Sequence, residues 1–215
     1  MSFARPAFPV VLAAPSGAGK TTLARMVVDR DDDVVFSISA TTRPPRPREQ
    51  DGRDYHFVDD DTFDRMIERN ELAEWAVVHG HRYGTPRREI TGAIERGRTV
   101  LLDIDVQGAR QVRKMFADAL LVFVLPPSAQ ELDRRLTARA SEEPGERRRR
   151  LTNARRELEA VPEFDYVVVN EDLDTAYEHL RSILRAEWAR VRRIRDLERH
   201  AGRLIDDLDR IIREA

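Results

Sequence analysis

The chain has 215 residues, enough for one domain with a sizeable core or a core carrying small inserted subdomains. Its 37 basic and 39 acidic residues leave a formal charge of −2, which excludes the basic excess of a general nucleic-acid binder. It has no cysteine, so disulfides and thiolate metal sites are excluded, as suits a reducing cytoplasm, and no apolar run approaches the length of a membrane span.

Phe8 to Ala14 is a short continuous apolar run, the pattern of a strand buried on both faces of a parallel sheet. Arg5 precedes it, but the run is too short for a secretory leader and passes straight into a turn. The turn is Ala14-Pro-Ser-Gly-Ala-Gly-Lys-Thr21, and Thr22 to Asp29 follows with Leu23, Met26 and Val27 on one helical face. Strand, glycine-bearing turn and helix is the order in which a helix N-terminus presents unpaired N–H groups and its positive dipole end to an anion. Lys20 is one of only two lysines among the 37 basic residues, Lys114 being the other. A compact ammonium fits inside a loop wrapped around phosphates, where a guanidinium fork does not. The segment therefore reads as a phosphate-binding loop made of Ala14, Pro15, Ser16, Gly17, Ala18, Gly19, Lys20, Thr21 and Thr22. Lys20 reaches the terminal phosphates and Thr21 turns its hydroxyl to Mg²⁺. Ala14 stands where such loops usually begin with glycine, a position that only a small residue fits.

Val34 to Ser39 alternates like a strand, and Thr41 to Gly52 is a loop crowded with Pro, Arg, Glu and Gly. Tyr55 to Val58 reads as a strand, Asp60 to Arg69 as a helix with Phe63, Met66 and Ile67 inward, Leu72 to His79 as a strand and Pro86 to Arg96 as a helix. Thr99 to Asp105 is another buried strand, ending in acids. A strand-end Asp is more commonly a cap, but with the upstream loop Asp103 becomes the second metal anchor. Val106 to Phe116 reads as a helix, Ala119 to Leu125 as a strand and Ser128 to Ala140 as a helix. A charged stretch through Arg150 leads into a helix ending near Val161; Tyr166 to Asn170 is the last strand, followed by one long helix. Strands alternating with helices imply a mostly parallel sheet with right-handed crossovers, and the short strands between Ser37 and His79 look like an inserted β-rich lobe. In the tail, Leu184, Trp188, Val191, Ile194, Ala201, Leu204, Leu208 and Ile211 recur at steps of three or four, an amphipathic helix interrupted at Gly202. It either packs back on the protein's own surface or forms a seam for a homo-oligomer.

Further segments follow in order: Ser39-Ala-Thr-Thr-Arg-Pro-Pro-Arg46, Glu49, Asp51-Gly-Arg-Asp-Tyr-His-Phe57, Glu74-Trp75, Tyr83-Gly-Thr85 and Leu102-Asp-Ile-Asp-Val-Gln-Gly108. With the phosphate loop they closely resemble the guanylate kinase family over roughly residues 7–188. The resemblance implies transfer of the γ-phosphoryl group of ATP to GMP with Mg²⁺, on an α/β P-loop NTPase-type parallel sheet flanked by helices. It divides the chain into a CORE (1–36, 98–130, 160–190), a GMP-binding lobe (37–97), a helical LID (131–159) and an extension (191–215). Arg43, Arg46, Tyr55 and Tyr83 fall to the GMP phosphate, and Glu74, with Ser39, Thr85 and Asp105 beside it, to the base; Asp103 borders the same substrate. Arg135, Arg139 and Arg150 fall over the ATP phosphates, with Lys20 and Arg43 completing the catalytic set, and Asn170 lies near the adenine.

Elementary chemistry agrees with these roles. Two planar guanidinium forks suit a dianionic phosphate, and tyrosine hydroxyls donate to it without adding charge. A carboxylate accepts the paired N1–H and N2–H₂ donors of guanine, for which adenine has no counterpart. The chain departs from its family at Ala140-Ser141, where Gly-Thr is usual, and at Pro144-Gly-Glu-Arg147, which replaces a stretch with an apolar residue. Those changes bear on LID closure and turnover. The run Arg147 to Arg150 reads as a charged LID surface ahead of a nucleic-acid signal. Two other functions fit the scaffold: a silent binding module, disfavoured by the intact Lys20, Thr21 and Asp103, and a kinase of another phosphorylated acceptor, in which Glu74 and Ser39 would have no purpose.

Overall fold

The computed structural model describes residues 4–78, 80–138 and 144–215. In chain order it runs β1 (Pro9–Ala13), α1 (Lys20–Arg30), β2 (Val34–Phe36), β3 (Ala40–Thr41), β4 (His56–Phe57), α2 (Asp60–Glu68), β5 (Leu72–Val78), β6 (His81–Pro86) and α3 (Arg87–Glu95). It continues with β7 (Thr99–Asp103), α4 (Val106–Met115), β8 (Leu120–Leu125), α5 (Ala129–Ala138), α6 (Pro144–Leu158), β9 (Tyr166–Val169), α7 (Leu173–Trp188) and α8 (Leu197–Glu214).

Among the described residues, β2-β7-β1-β8-β9 form one parallel sheet in that order. Phe8, Leu12, Leu23, Leu180 and Leu184 pack one face, and Val11, Ile90, Leu102, Val112 and Leu121 the other. Apolar cover on both faces is why β1 reads as an unbroken apolar run. The chain leaves β1 toward β2 on one side and β8 lies on the other, so the crevice for a ligand opens at the carboxyl end of β1, flanked by β7 and β8.

A second sheet, β4-β3-β6-β5, lies between β2 and β7 in sequence and packs Ala40 and Leu72 against Phe63 of α2. Here β3 and β6, and β5 and β6, run antiparallel, and the β5–β6 register slips between Leu72 and Glu74. Such a bulge re-aims the side chains of its strand. Leu72, Ala73 and Glu74 are buried in succession across it.

Four expectations are corrected. β2 stops at Phe36 rather than Ser39: Ser37 N donates to Leu101 O as a last rung, and Ala40-Thr41 then join the second sheet instead of opening a loop. β6 was not anticipated, because Gly84 and Pro86 mask its pattern. Gly84 is required there, since a Cβ would lie 2.9 Å from the Glu74 carbonyl oxygen. The charged run Arg147–Arg150 lies inside α6, which begins at Pro144, so it does not precede a helix. The tail is not one helix: α7 ends at Trp188, a single 3₁₀ turn spans Val191–Arg193, and α8 starts at Leu197. The cause is Arg193, which donates to Glu187 Oε2 at 2.8 Å and to Asp118 O at 2.8 Å and stacks 3.9 Å over the Phe8 ring. A buried guanidinium bonded through Nε and Nη1 draws the chain sideways, whereas Gly202 sits undisturbed within α8. Of the remaining expectations, His79, the Ala140 end of the helix from Ser128 and the Ala140-Ser141 departure lie outside the described residues.

Candidate active site

The phosphate loop joins β1 to the N-terminus of α1. Gly17 and Gly19 have φ of +90° and +88°, the left-handed region that glycine enters without penalty. At Gly19 a Cβ would lie 2.3 Å from Asn170 Nδ2, so even the space is reserved. Ala14 is buried, which fits a small residue in place of the usual glycine, while Thr21 and Thr22 are exposed on the first turn of α1. The Lys20 ammonium lies 2.6 Å from Asp103 Oδ1 and donates to Ile104 O at 2.6 Å, so the loop lysine and the strand-end acid meet at the carboxyl end of β7.

The loop is braced from behind. Asn170 is buried and its Nδ2 donates to Ala18 O at 2.7 Å, a contact with the loop itself. Arg135 on α5 donates to Asn170 O at 3.2 Å and to Ala18 O at 3.5 Å, and is oriented by Glu131 at 2.7 Å. The guanidinium groups of Arg134 and Arg135 hold the Glu131 carboxyl down at about 2. Leu132 and Leu136 pack against Gly17 and against Leu151 and Ala154 of α6. One turn beyond Ala154, Glu157 stands near the Ser16 backbone N–H, and burial raises its carboxyl above the ordinary range. Arg150 is half-buried on α6, and Arg139 lies outside the described residues.

On the second sheet Glu74 is 5% exposed, and Thr85 opposite it in the β5–β6 ladder donates to its Oε1 at 2.7 Å. Burial pushes the Glu74 carboxyl up to about 7, opposed by the Thr85 hydroxyl and reinforced by the charge of Asp105. Asp105 caps α4 by accepting from Gly108 N at 2.8 Å. Arg43 is buried and held on three sides: its fork meets Glu49 at 2.9 and 3.0 Å, its Nε donates to Tyr83 Oη at 3.2 Å, and its Nη1 donates to Pro44 O at 2.7 Å. Tyr55 and Phe57 lie under the same guanidinium at 5.4 and 5.8 Å, and the Glu49 bonds raise the Arg43 pKa further. Arg46 is exposed, with its backbone N–H on Glu49 Oε2 at 2.7 Å. Ser39 is half-buried where the chain crosses between the sheets, its carbonyl taking the His56 N–H at 2.9 Å.

The two groups of residues face one crevice. The charges of Asp105 and Lys20 both act on Glu74, and those of Arg43 and Asp103 both act on Tyr55. A phosphate loop with its lysine and strand-end acid thus opens toward a buried carboxylate and an arginine–tyrosine cluster. A family model described as guanylate kinase matches residues 7–187. Guanylate kinase of Dechloromonas aromatica is 53% identical over 82% of this chain and 87% of that protein, and that of Thermotoga maritima 48% identical over 86% and 90%. The solved guanylate kinase of Anaplasma phagocytophilum, 33% identical, superposes with a TM-score of 0.74 over 92% of this chain and 94% of that one. The chain belongs to the guanylate kinase family.

Within that family scaffold, the sequence motifs omit several residues that shape the crevice. Glu49 appeared as a motif letter, and the structure makes it the partner that fixes Arg43. Glu157 lies one helical turn after Ala154 on the face that covers the phosphate loop, a spacing that could have singled it out. Gln111 lies one turn after Gly108 on α4 and pairs with the backbone of Trp75, next to Glu74. Neither signal is visible until one knows which helix covers which strand.

Proposed function

We infer that this guanylate kinase family member transfers the γ-phosphoryl group of ATP to GMP, yielding ADP and GDP. The observation that carries the reading is the buried Glu74, held by the Thr85 hydroxyl and within reach of the Lys20 charge. Ionised, it accepts the N1–H and N2–H₂ of guanine, with Thr85, Ser39 and Asp105 around the base. Adenine would leave this desolvated carboxylate without donors, a cost of about 1–3 kcal/mol or more. Arg43 and Arg46, with Tyr55 and Tyr83, take the GMP phosphate, and the Glu49 clamp presents Arg43 in a fixed orientation.

ATP lies with its phosphates in the loop from Ala14 to Thr22. Lys20 exchanges Asp103 for phosphate oxygens, and Asn170 borders the nucleotide from the strand end. The attacking GMP phosphate oxygen is already ionised, so no protein base is needed. Its bond to the γ-phosphorus forms as the bond to the β–γ bridging oxygen breaks, and ADP leaves with the electron pair. The chain's part is alignment and neutralisation of charge on the transferred group by Lys20, Arg135, Arg139 and Arg150.

Thr21 and Asp103 offer hard oxygen donors beside the loop. Among the described residues no cluster of three or more His, Cys, Asp or Glu could hold a metal alone, which suits Mg²⁺ shared between one or two side chains, phosphates and water. When bound it would supply further neutralisation of the phosphate charge.

The seating of α5 and α6 on the phosphate loop supports reading 131–159 as the LID, and the separate second sheet supports reading 37–97 as the GMP lobe; within the extension 191–215, the burial of Arg193 ties its first residues to the core. Leu204, Ile205, Leu208, Ile211 and Ile212 lie exposed along α8 and support a homo-oligomeric seam. No helix among the described residues is long and apolar enough to cross a membrane, and with ATP and GMP as substrates we place the enzyme in the cytoplasm. A coupled assay of ADP release tests the activity: release should require both ATP and GMP, and release that does not respond to GMP would refute it.

A further inference from the structure

β5 is the edge strand of the small sheet, so one side of its backbone lacks a strand partner. At Trp75 that side is met by a side chain from the main body. Gln111 Oε1 accepts the Trp75 N–H at 3.1 Å, and Gln111 Nε2 donates to Trp75 O at 3.0 Å. A primary amide carries a donor and an acceptor side by side, so it can match both halves of a peptide edge as a neighbouring strand would. The adjacent residue on β5 is Glu74.

Glu74 is seated against the same face of α4. Gly108, one turn before Gln111, lies so close that an added Cβ would fall 2.8 Å from Glu74 Oε2 and 3.3 Å from its Cδ. Glu74 Oε1 is meanwhile tied to Thr85 at 2.7 Å. One oxygen is therefore fixed by a hydroxyl from β6, and the other rests on the bare backbone of the first turn of α4, where a helix N-terminus favours an anion. At Trp75, next to that second oxygen, the Gln111 amide ties β5 to α4.

We propose that Gln111 is a positioning residue for guanine recognition, holding Glu74 in the seat left by Gly108 so that both carboxylate oxygens meet the base edge. This rests on the reading of Glu74 as the guanine acceptor. Inosine monophosphate is the sensitive probe, because it keeps N1–H and lacks the 2-amino group. An enzyme with a displaced carboxylate loses the extra interaction that GMP alone can make.

The test compares kcat/KM for GMP and for inosine monophosphate, with ATP, in the wild-type protein, Gln111→Ala, Gly108→Ala and Glu74→Gln. Gln111→Ala should lower the preference for GMP about fivefold to tenfold and leave the KM for ATP within twofold. Gly108→Ala, which crowds the seat from the other side, should lower the same ratio by a similar factor. A loss of folded protein lowers both rates together and leaves the ratio untouched, so the ratio reports position and not stability. An unchanged ratio in Gln111→Ala or in Gly108→Ala, with Glu74→Gln collapsing it, would overturn the role of the α4 seat alone. An unchanged ratio in Glu74→Gln would overturn the base reading and this inference with it.

Discussion

At the phosphate-loop end of the crevice, consecutive residues from Ala14 to Thr21 carry the site, and the parallel sheet with α5 and α6 braces them. At the opposite end the polar groups arrive from three separate parts of the small sheet: Arg43 after β3, Glu74 on β5, Tyr83 and Thr85 on β6. The first end is held by backbone geometry, with two glycines in the left-handed region and a carbonyl bonded to Asn170. The second is held by side chains upon side chains, with Glu49 fixing Arg43, Thr85 fixing Glu74 and Gln111 fixing the strand between. A backbone cradle tolerates changes in its surroundings, whereas a side-chain relay transmits them. Single substitutions should therefore act on rate at the loop end and on substrate choice at the other.

The sharpest separation comes from Lys20→Ala. It should lower kcat by about 10³-fold or more while the affinity for GMP stays within threefold, measured by the coupled assay and by GMP titration. Glu74→Ala is its counterpart: about 10²-fold loss of preference for GMP over AMP, with ATP affinity unchanged, checked by competing substrates. A variant that moved both quantities together would break the division.

The pH dependence of the acceptor end follows from burial. With its carboxyl pushed up to about 7, Glu74 is increasingly protonated as pH falls below that value, and a protonated carboxyl turns a donor toward guanine donors. The KM for GMP should therefore fall as pH rises from 6 to 8, about tenfold in all and mostly below pH 7. Asp105 and Lys20 are the charged neighbours that set this value together with burial. The GMP phosphate titrates in the same region, so the comparison is with Glu74→Gln, which should retain only the shallower dependence of the phosphate.

Glu157→Ala offers a smaller effect at the loop end. Losing the carboxylate beside the Ser16 N–H should raise the KM for ATP by about threefold to tenfold. Glu157→Gln, which keeps an acceptor oxygen, should restore most of it, and the KM for GMP should not change. Smallest of all is the effect of ending the chain after Asp196, which preserves the buried Glu187–Arg193 pair. Turnover should be unaltered, and light scattering should show a smaller particle if α8 is the seam between copies.

The same contrast decided what could be read from the amino acids. The strand–loop–helix unit from Phe8 to Asp29 was legible because its residues are contiguous and its geometry demands glycine and lysine at fixed positions. Glu74 was recognisable only through the order of family motifs, since nothing local tells a buried acceptor from a surface acid. Its burial depends on a bulge in β5 and on the approach of α4, both tertiary facts. The break after Trp188 was illegible for the same reason. The apolar period continues through it, and only the burial of Arg193 between Glu187 and Phe8 turns the chain.

The most direct test of the account is calorimetric titration of GMP and AMP into the folded protein at pH 8, where Glu74 is ionised. GMP should bind with measurable heat and at least about 100-fold more tightly than AMP, and Glu74→Gln should narrow that gap. Equal affinities for the two nucleotides, or no heat with GMP, would contradict the claim that a buried carboxylate reads the purine.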